Sequence, residues 1–215
     1  MRDQYLKIML FSIIILALCG SCSHRSHSML LQKTDIRPIL NPNEGALKYQ
    51  TTIDLFKNHF SGILVAKQID STHAHLLFIS EIGMKIFDFE MTKDSIHLVS
   101  AFPGLESRPK AIELLKSDLG LIFLNGIYNK PASWIRDSTS SFATIWIDFR
   151  QRDGKRTNIY ITNSETKRIQ RIVQKKGIRK KIQVGYDQKE GLGPQSIVLR
   201  HKGLIHLTMM MRKLD

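Results

Sequence analysis

Cysteine is nearly absent from this 215-residue chain: there are two, Cys19 and Cys22, and everything after residue 22 is free of thiols. No disulfide framework is available to the folded part, which must be held by its core alone whatever the redox state of its compartment. Long hydrophobic runs are missing too. The longest, Ile8 to Leu18, is about 11 residues, whereas a membrane-spanning helix needs about 20. Acid is scarce, with 19 Asp and Glu against 32 Lys and Arg, a formal charge of +13. Catalytic signatures are absent as well: there is no G-x-S-x-G elbow, H-E-x-x-H pair, P-loop or dinucleotide fingerprint, and Gly191 and Gly193 stand in a Pro-containing turn with no helix after it. The chain reads as a non-enzyme that calls for no cofactor and no metal.

What is present at the N-terminus is ordered. Arg2 and Lys7 precede the apolar run, and the small residues Gly20 and Ser21 follow it, which is the plan of a secretory signal. Cys19-Gly20-Ser21-Cys22 has C-x-x-C spacing, but it ends an apolar run and opens no βαβ unit. It resembles a bacterial lipobox, with Cys19 where Leu is usual and Leu18 one place further back. That resemblance implies cleavage before Cys22 and acylation of Cys22 with palmitate-type chains, a stable tether that does not span the bilayer. The expected organisation is a signal over 1–21, an acylated N-terminus and tether over 22–46, and one domain over 47–215. The tether is polar, carries Pro38 and Pro42, and has a short apolar segment at Met29 to Leu31 that could dock. His24 and His27 on such a tether read as incidental.

Past Ala46 come short segments rich in β-branched and aromatic residues, separated by turn residues at intervals of about ten. The pattern predicts strands at Tyr49–Asn58, His59–Ile69, Ala74–Ser80, Met84–Met91 and Ser95–Ala101. In Ile86-Phe87-Asp88-Phe89-Glu90 the period of two puts Phe87 and Phe89 on one face and the acids on the other. A helix is predicted over Pro109 to Phe123, where Ala111, Ile112, Leu115, Leu119 and Ile122 share a face, Ser107 can cap and Pro109 suits the first turn. A Gly/Pro/Ser-rich connection over Asn125 to Ser141 follows. Further strands are predicted at Phe142–Arg150, Arg156–Thr162, Lys167–Gln174, Ile178–Tyr186, Gln195–His201 and Leu204–Arg212, the third of these also fitting a helix. The short connections imply antiparallel pairing, and a lone amphipathic helix must lay its apolar side on the sheet. His73 and His75 could pair with Glu81 as ligands, but a polar outer strand face accounts for them, and His201 and His206 read as ordinary hairpin histidines.

Charge concentrates between Arg150 and Lys181, where only Asp153 and Glu165 oppose a dense set of cations that includes Arg168, Arg171, Lys175, Lys180 and Lys181. An exported lipoprotein rarely meets nucleic acid, so anionic headgroups or an acidic envelope protein are the partners such a block suits. A solubilising strand face is the plainer alternative. The aromatic supply is generous, and Phe78, Phe87, Phe89 and Trp146 on the sheet with Ile112, Leu115 and Leu119 on the helix are the candidate lining of a hydrophobic cavity.

The order of these parts carries a resemblance. The lipobox, the strands FSGILVAKQ (Phe60–Gln68) and EIGMKIFDFE (Glu81–Glu90), the Pro-led helix PKAIELLKSDLGLIF (Pro109–Phe123) and the closing strands PQSIVLRHKGLIHLTMMMRKL (Pro194–Leu214) resemble the LolA/LolB-like superfamily of envelope proteins. The resemblance implies a mainly β, α+β fold: a strongly curved antiparallel sheet forming an incomplete β-barrel, closed by one or more helices around an apolar cavity. It implies a non-catalytic protein that binds acyl chains or lipoproteins and acts in lipid or lipoprotein localisation, lipid-anchored at the outer membrane with its domain in the periplasm. In the LolB branch an apolar residue on a protruding loop meets the bilayer, and Phe102-Pro103-Gly104-Leu105 is the nearest segment in character. The rival reading is an interaction module with a filled core that holds an acidic partner on its basic face.

Overall fold

The computed structural model describes residues 36–41, 43, 45–93, 95–127, 133–137, 144–150, 156–163, 166–188, 193–203 and 206–214, with 133–137 and 144–150 described by backbone pairing alone. The stretch read as a signal, Cys22, His24, His27 and the 29–31 segment lie outside them. The element order is β1 (Leu47–Leu55), β2 (Asn58–Gln68), β3 (His73–Ser80), β4 (Lys85–Thr92), β5 (Ile96–Ala101), α1 (Pro103–Glu106), α2 (Pro109–Ile122), β6 (Ser133–Asp137), β7 (Thr144–Arg150), β8 (Arg156–Thr162), β9 (Ile169–Lys176), β10 (Arg179–Asp187), β11 (Ser196–His201) and β12 (Leu207–Lys213).

All twelve strands belong to one sheet, in the order β5-β4-β3-β2-β1-β12-β11-β10-β9-β8-β7-β6. Two antiparallel meanders, β1 to β5 and β6 to β12, are joined where the last strand pairs with the first, Tyr49 opposite Lys213 through Leu55 opposite Leu207. β5 and β6 are the free edges, so the sheet is not closed. Alternation of the strands puts the β1–β2, β3–β4, β9–β10 and β11–β12 turns at one end of the sheet. The β2–β3, β4–β5 and β10–β11 turns lie at the other.

Period-two patterning decides which face is inside. In β1 the residues Leu47, Tyr49, Thr51, Ile53 and Leu55 are buried while their neighbours are exposed or half-buried. The sheet must also curl. Helix α2 packs on both the edge strand β5 and on β11. These are six strand positions apart, about 29 Å along a flat sheet at ~4.8 Å per strand, whereas a 14-residue helix is only about 21 Å long. Register shifts at Phe78/Ile79, Asp88/Phe89, Ile161/Thr162 and Lys180/Ile182 supply local bending. At Gly62 the backbones approach so closely that a Cβ would overlap the Ile79 carbonyl oxygen.

Several sequence expectations need correcting. Ser107 does not cap α2: Arg108 occupies that position with no side-chain cap, and the Ser107 hydroxyl donates to the Gly104 carbonyl. Pro109, with its fixed φ and no N–H to satisfy, makes the missing cap cheap. The stretch read as connection contains β6, whose ladder to β7 (Ile135 opposite Trp146) supplies what its five residues lack in local pattern. Ile178 is not a strand residue; it sits in the Gly177-Ile178 turn before β10. In the stretch read as tether, Ile36, Ile39 and Leu40 are buried in the core cluster, and the Arg37 amide donates to the Lys167 carbonyl at 2.9 Å.

Candidate functional site: the concave face and its cleft

Cross-strand rows of buried side chains cover the concave face. One runs Tyr49, Leu64, Phe78, Phe87 across β1 to β4, and another runs Ile53, Met209, Leu199, Val184, Ile172, Tyr160 from β1 to β8. Helix α2 lies over these rows with Ala111, Ile112, Leu115, Leu119 and Ile122 turned inward. Two polar ties fix it. The Tyr186 hydroxyl donates to the Ile122 carbonyl at 2.8 Å, and His201 Nε2 lies 2.8 Å from Asp118 Oδ2. Burial pushes the Tyr186 hydroxyl well above the usual phenol range, so it stays a donor. His201 is thus a satisfied histidine within the fold, and its partner Asp118 was legible as a lone acid inside the apolar stripe of Leu115, Leu119 and Ile122.

Of the residues proposed to line a cavity, Phe78, Phe87 and Phe89 are fully buried and pack on one another, with Phe78 and Phe87 centroids 5.3 Å apart and Phe87 and Phe89 stacked at 4.7 Å. Leu115, Leu119 and Ile112 join them in one cluster. The Trp146 side chain lies outside the described residues. Free space lies on the other flank of α2. There a solvent-open cleft of about 350 Å³ runs between Glu113, Lys116, Ser117 and Gly120 of the helix, Ile96 of β5, and Asn158, Tyr160 and Gln174 of β8 and β9. Its floor mixes apolar Ile96, Leu121 and Ile127 with a hydrogen-bonded set in which Gln174 Nε2 donates to Asn158 Oδ1 at 2.9 Å and Asn158 Nδ2 to the Tyr160 hydroxyl at 3.4 Å. Burial raises the Tyr160 hydroxyl out of the ordinary phenol range. These three side chains were missed because a polar residue on a predicted strand reads as outward-facing unless its register is known.

The basic residues fall into two groups. Lys175 stands opposite Lys180 near the tip of the β9–β10 hairpin, and Lys181 is beside them at a register shift. Arg171 and Arg168 lie toward the other end of β9, with Arg171 about 13 Å from Lys175 at ~3.3 Å per residue. Phe102 to Leu105 is not a protruding loop: it is the turn of α1, with Leu105 buried and Phe102 packed 6.0 Å from Phe60. His73 pairs with Asp70 and His75 with Asp88, and among the described residues no three metal-binding side chains converge.

No protein-family model matches the sequence, and no curated protein matches it. Solved structures do. A LolA superfamily protein from Nitrosomonas europaea is similar over 82% of this chain and 87% of its own, with a TM-score of 0.53 and 8% identity. A DUF1329 family protein from Desulfovibrio piger is similar over 79% of this chain and 83% of its own, with a TM-score of 0.54 and 6% identity. At such identities the likeness is one of fold, and the fold of this chain is LolA-like: an open, curled antiparallel sheet with helices on its concave side.

Proposed function

We propose that this chain of LolA-like fold is a non-catalytic cell-envelope protein, anchored through acylated Cys22 at the outer membrane with its domain in the periplasm, that binds acyl chains and serves lipid or lipoprotein localisation. The observation that carries the reading is the cleft between α2 and the concave sheet. Its volume of about 350 Å³ lies at the lower end of the ~300–1,000 Å³ typical of ligand pockets. It sets apolar Ile96, Leu121 and Ile127 beside the polar groups of Asn158, Tyr160 and Gln174, an arrangement that suits a chain with a polar head. The packing of Phe78, Phe87 and Phe89 favours the second reading, a filled-core module that holds an acidic partner.

Native mass spectrometry of the protein released from membranes in mild detergent separates the two. Co-purifying noncovalent lipid that is lost in Ser117→Trp, a substitution that fills the cleft from the exposed flank of α2, supports the acyl-binding reading. A protein that carries no lipid in either form supports the module.

A further inference from the structure

The two rims of the curled sheet expose different chemistry. On the rim that carries the β1–β2, β3–β4 and β9–β10 turns, Phe56 is 58%, Ile82 88% and Ile178 96% exposed. Phe56 holds a left-handed φ of 55°, a conformation that Gly or Asn takes without strain and a bulky L-residue does not. Its ring nevertheless points to water. Around Ile178 the ladders set like charges against one another, Lys175 opposite Lys180, and Lys176 opposite both Arg179 and Arg156. No Asp or Glu lies between Thr166 and Tyr186, although Arg156 feels the charge of Asp118. Exposed apolar tips, a strained aromatic turn and crowded cations all burden the free domain, and a surface that is apolar in depth and negative at its face offsets all three together.

We propose that this rim docks on an anionic lipid bilayer, with Ile178 and Phe56 entering the headgroup layer and Lys175, Lys176, Arg179 and Lys180 holding lipid phosphates around Ile178. The two turns are four strand positions apart, about 19 Å along the sheet. A protein interface gathers a contiguous apolar core and excludes lysine from it. Here each apolar tip stands alone with cations beside it, Lys57 at Phe56 and the hairpin set at Ile178, which suits a fluid surface that closes around each tip separately. Ile82 shares the rim but has Glu81 next to it, so it is the weaker contact. Arg168 and Arg171, at the far end of β9, take no part. The inference goes beyond the acyl-binding reading and does not depend on it, because a domain with a filled core would dock in the same way.

The test uses the full chain mixed with vesicles of phosphatidylcholine alone or of phosphatidylcholine with phosphatidylglycerol. A polarity-sensitive thiol probe is placed at the tip through Ile178→Cys or at the opposite rim through Ser71→Cys, and the unsubstituted chain is the blank for labelling at Cys19 and Cys22. Quenching by brominated lipid should rise several-fold at position 178 on the anionic vesicles and stay at background at position 71. Adding Lys175→Glu with Lys180→Glu should reduce the signal by on the order of tenfold, and raised salt should weaken it, with circular dichroism unchanged. A probe at 178 that stays in water on anionic vesicles, or is quenched equally on neutral ones, overturns the proposal. So does a rim that binds an acidic protein and no lipid.

Discussion

Removing the imidazole partner of a buried carboxylate is the sharpest test of how α2 is held. Asp118 is 0% exposed and the His201 side chain 6%, and the ring nitrogen lies 2.8 and 3.0 Å from the two carboxylate oxygens. His201→Ala would strand the carboxylate in an apolar layer, at a cost of about 3–5 kcal/mol near neutral pH for a broken buried pair. At ~2–4 °C per kcal/mol for a domain of this size, that is a melting temperature lowered by roughly 6–20 °C. Asp118→Asn keeps an acceptor for the ring N–H and removes the charge, so its cost is small. The pH dependence separates the two. Burial pushes the Asp118 carboxyl above the usual carboxylate range, against the opposing pull of the His201 hydrogen bond and charge and of Arg156. The folded protein therefore keeps this proton to higher pH than the unfolded chain does. Stability contributed by the group is present in acid and is lost as pH rises from the ordinary carboxylate range through the raised value. Thermal unfolding followed by circular dichroism from about pH 4 to about pH 8 should show Asp118→Asn gaining on the parent as pH rises, and the deficit of His201→Ala deepening over the same window. Equal melting temperatures for the parent and His201→Ala throughout would refute the reasoning.

Leu115→Asp puts a charge where the side chain is 2% exposed, and should cost several kcal/mol, read as a lower urea midpoint with an unchanged slope. Gly62→Ala brings a methyl group onto the Ile79 carbonyl oxygen; the backbone has to move, with an expected loss of about 1–3 kcal/mol in thermal unfolding. Cys22→Ser should abolish incorporation of radiolabelled palmitate and release the protein into the soluble fraction, whereas membrane retention without label would point to an uncleaved signal anchor.

Elements that repeat a period over many residues were legible, and those that depend on distant partners were not. In β4 the alternation of Phe87 and Phe89 with Asp88 and Glu90 states both the strand and its inner face. The inward side of α2 could likewise be read from its apolar spacing. By contrast, Ile36, Ile39 and Leu40 flank Pro38 with no period at all, because what orders them is burial in the core cluster and the hydrogen bond from the Arg37 amide to the Lys167 carbonyl. Ile178 looks like a strand residue by composition, and only the left-handed Gly177 before it places the reversal there. The cleft was out of reach for the same reason. Asn158 and Gln174 become neighbours through pairing of β8 with β9, a register that no local pattern states.

The pairing of β1 with β12 has a consequence for the order in which the molecule can assemble. A chain delivered N-terminus first can complete the β1 to β5 meander early, but until residues 207–213 arrive it keeps two unsatisfied backbone edges, on β1 and on β11, in the middle of what will become one sheet. Both edges carry apolar residues of the concave face, Ile53 and Leu55 on one, Ile197 and Leu199 on the other. Helix α2 lacks its polar ties until β10 and β11 have arrived, since Tyr186 and His201 belong to the second meander. Contacts this distant in sequence close slowly, and open edges recruit other chains. The seven residues of β12 therefore act as a latch: assembly passes from two aggregation-prone half-sheets to one protected fold in a single late step.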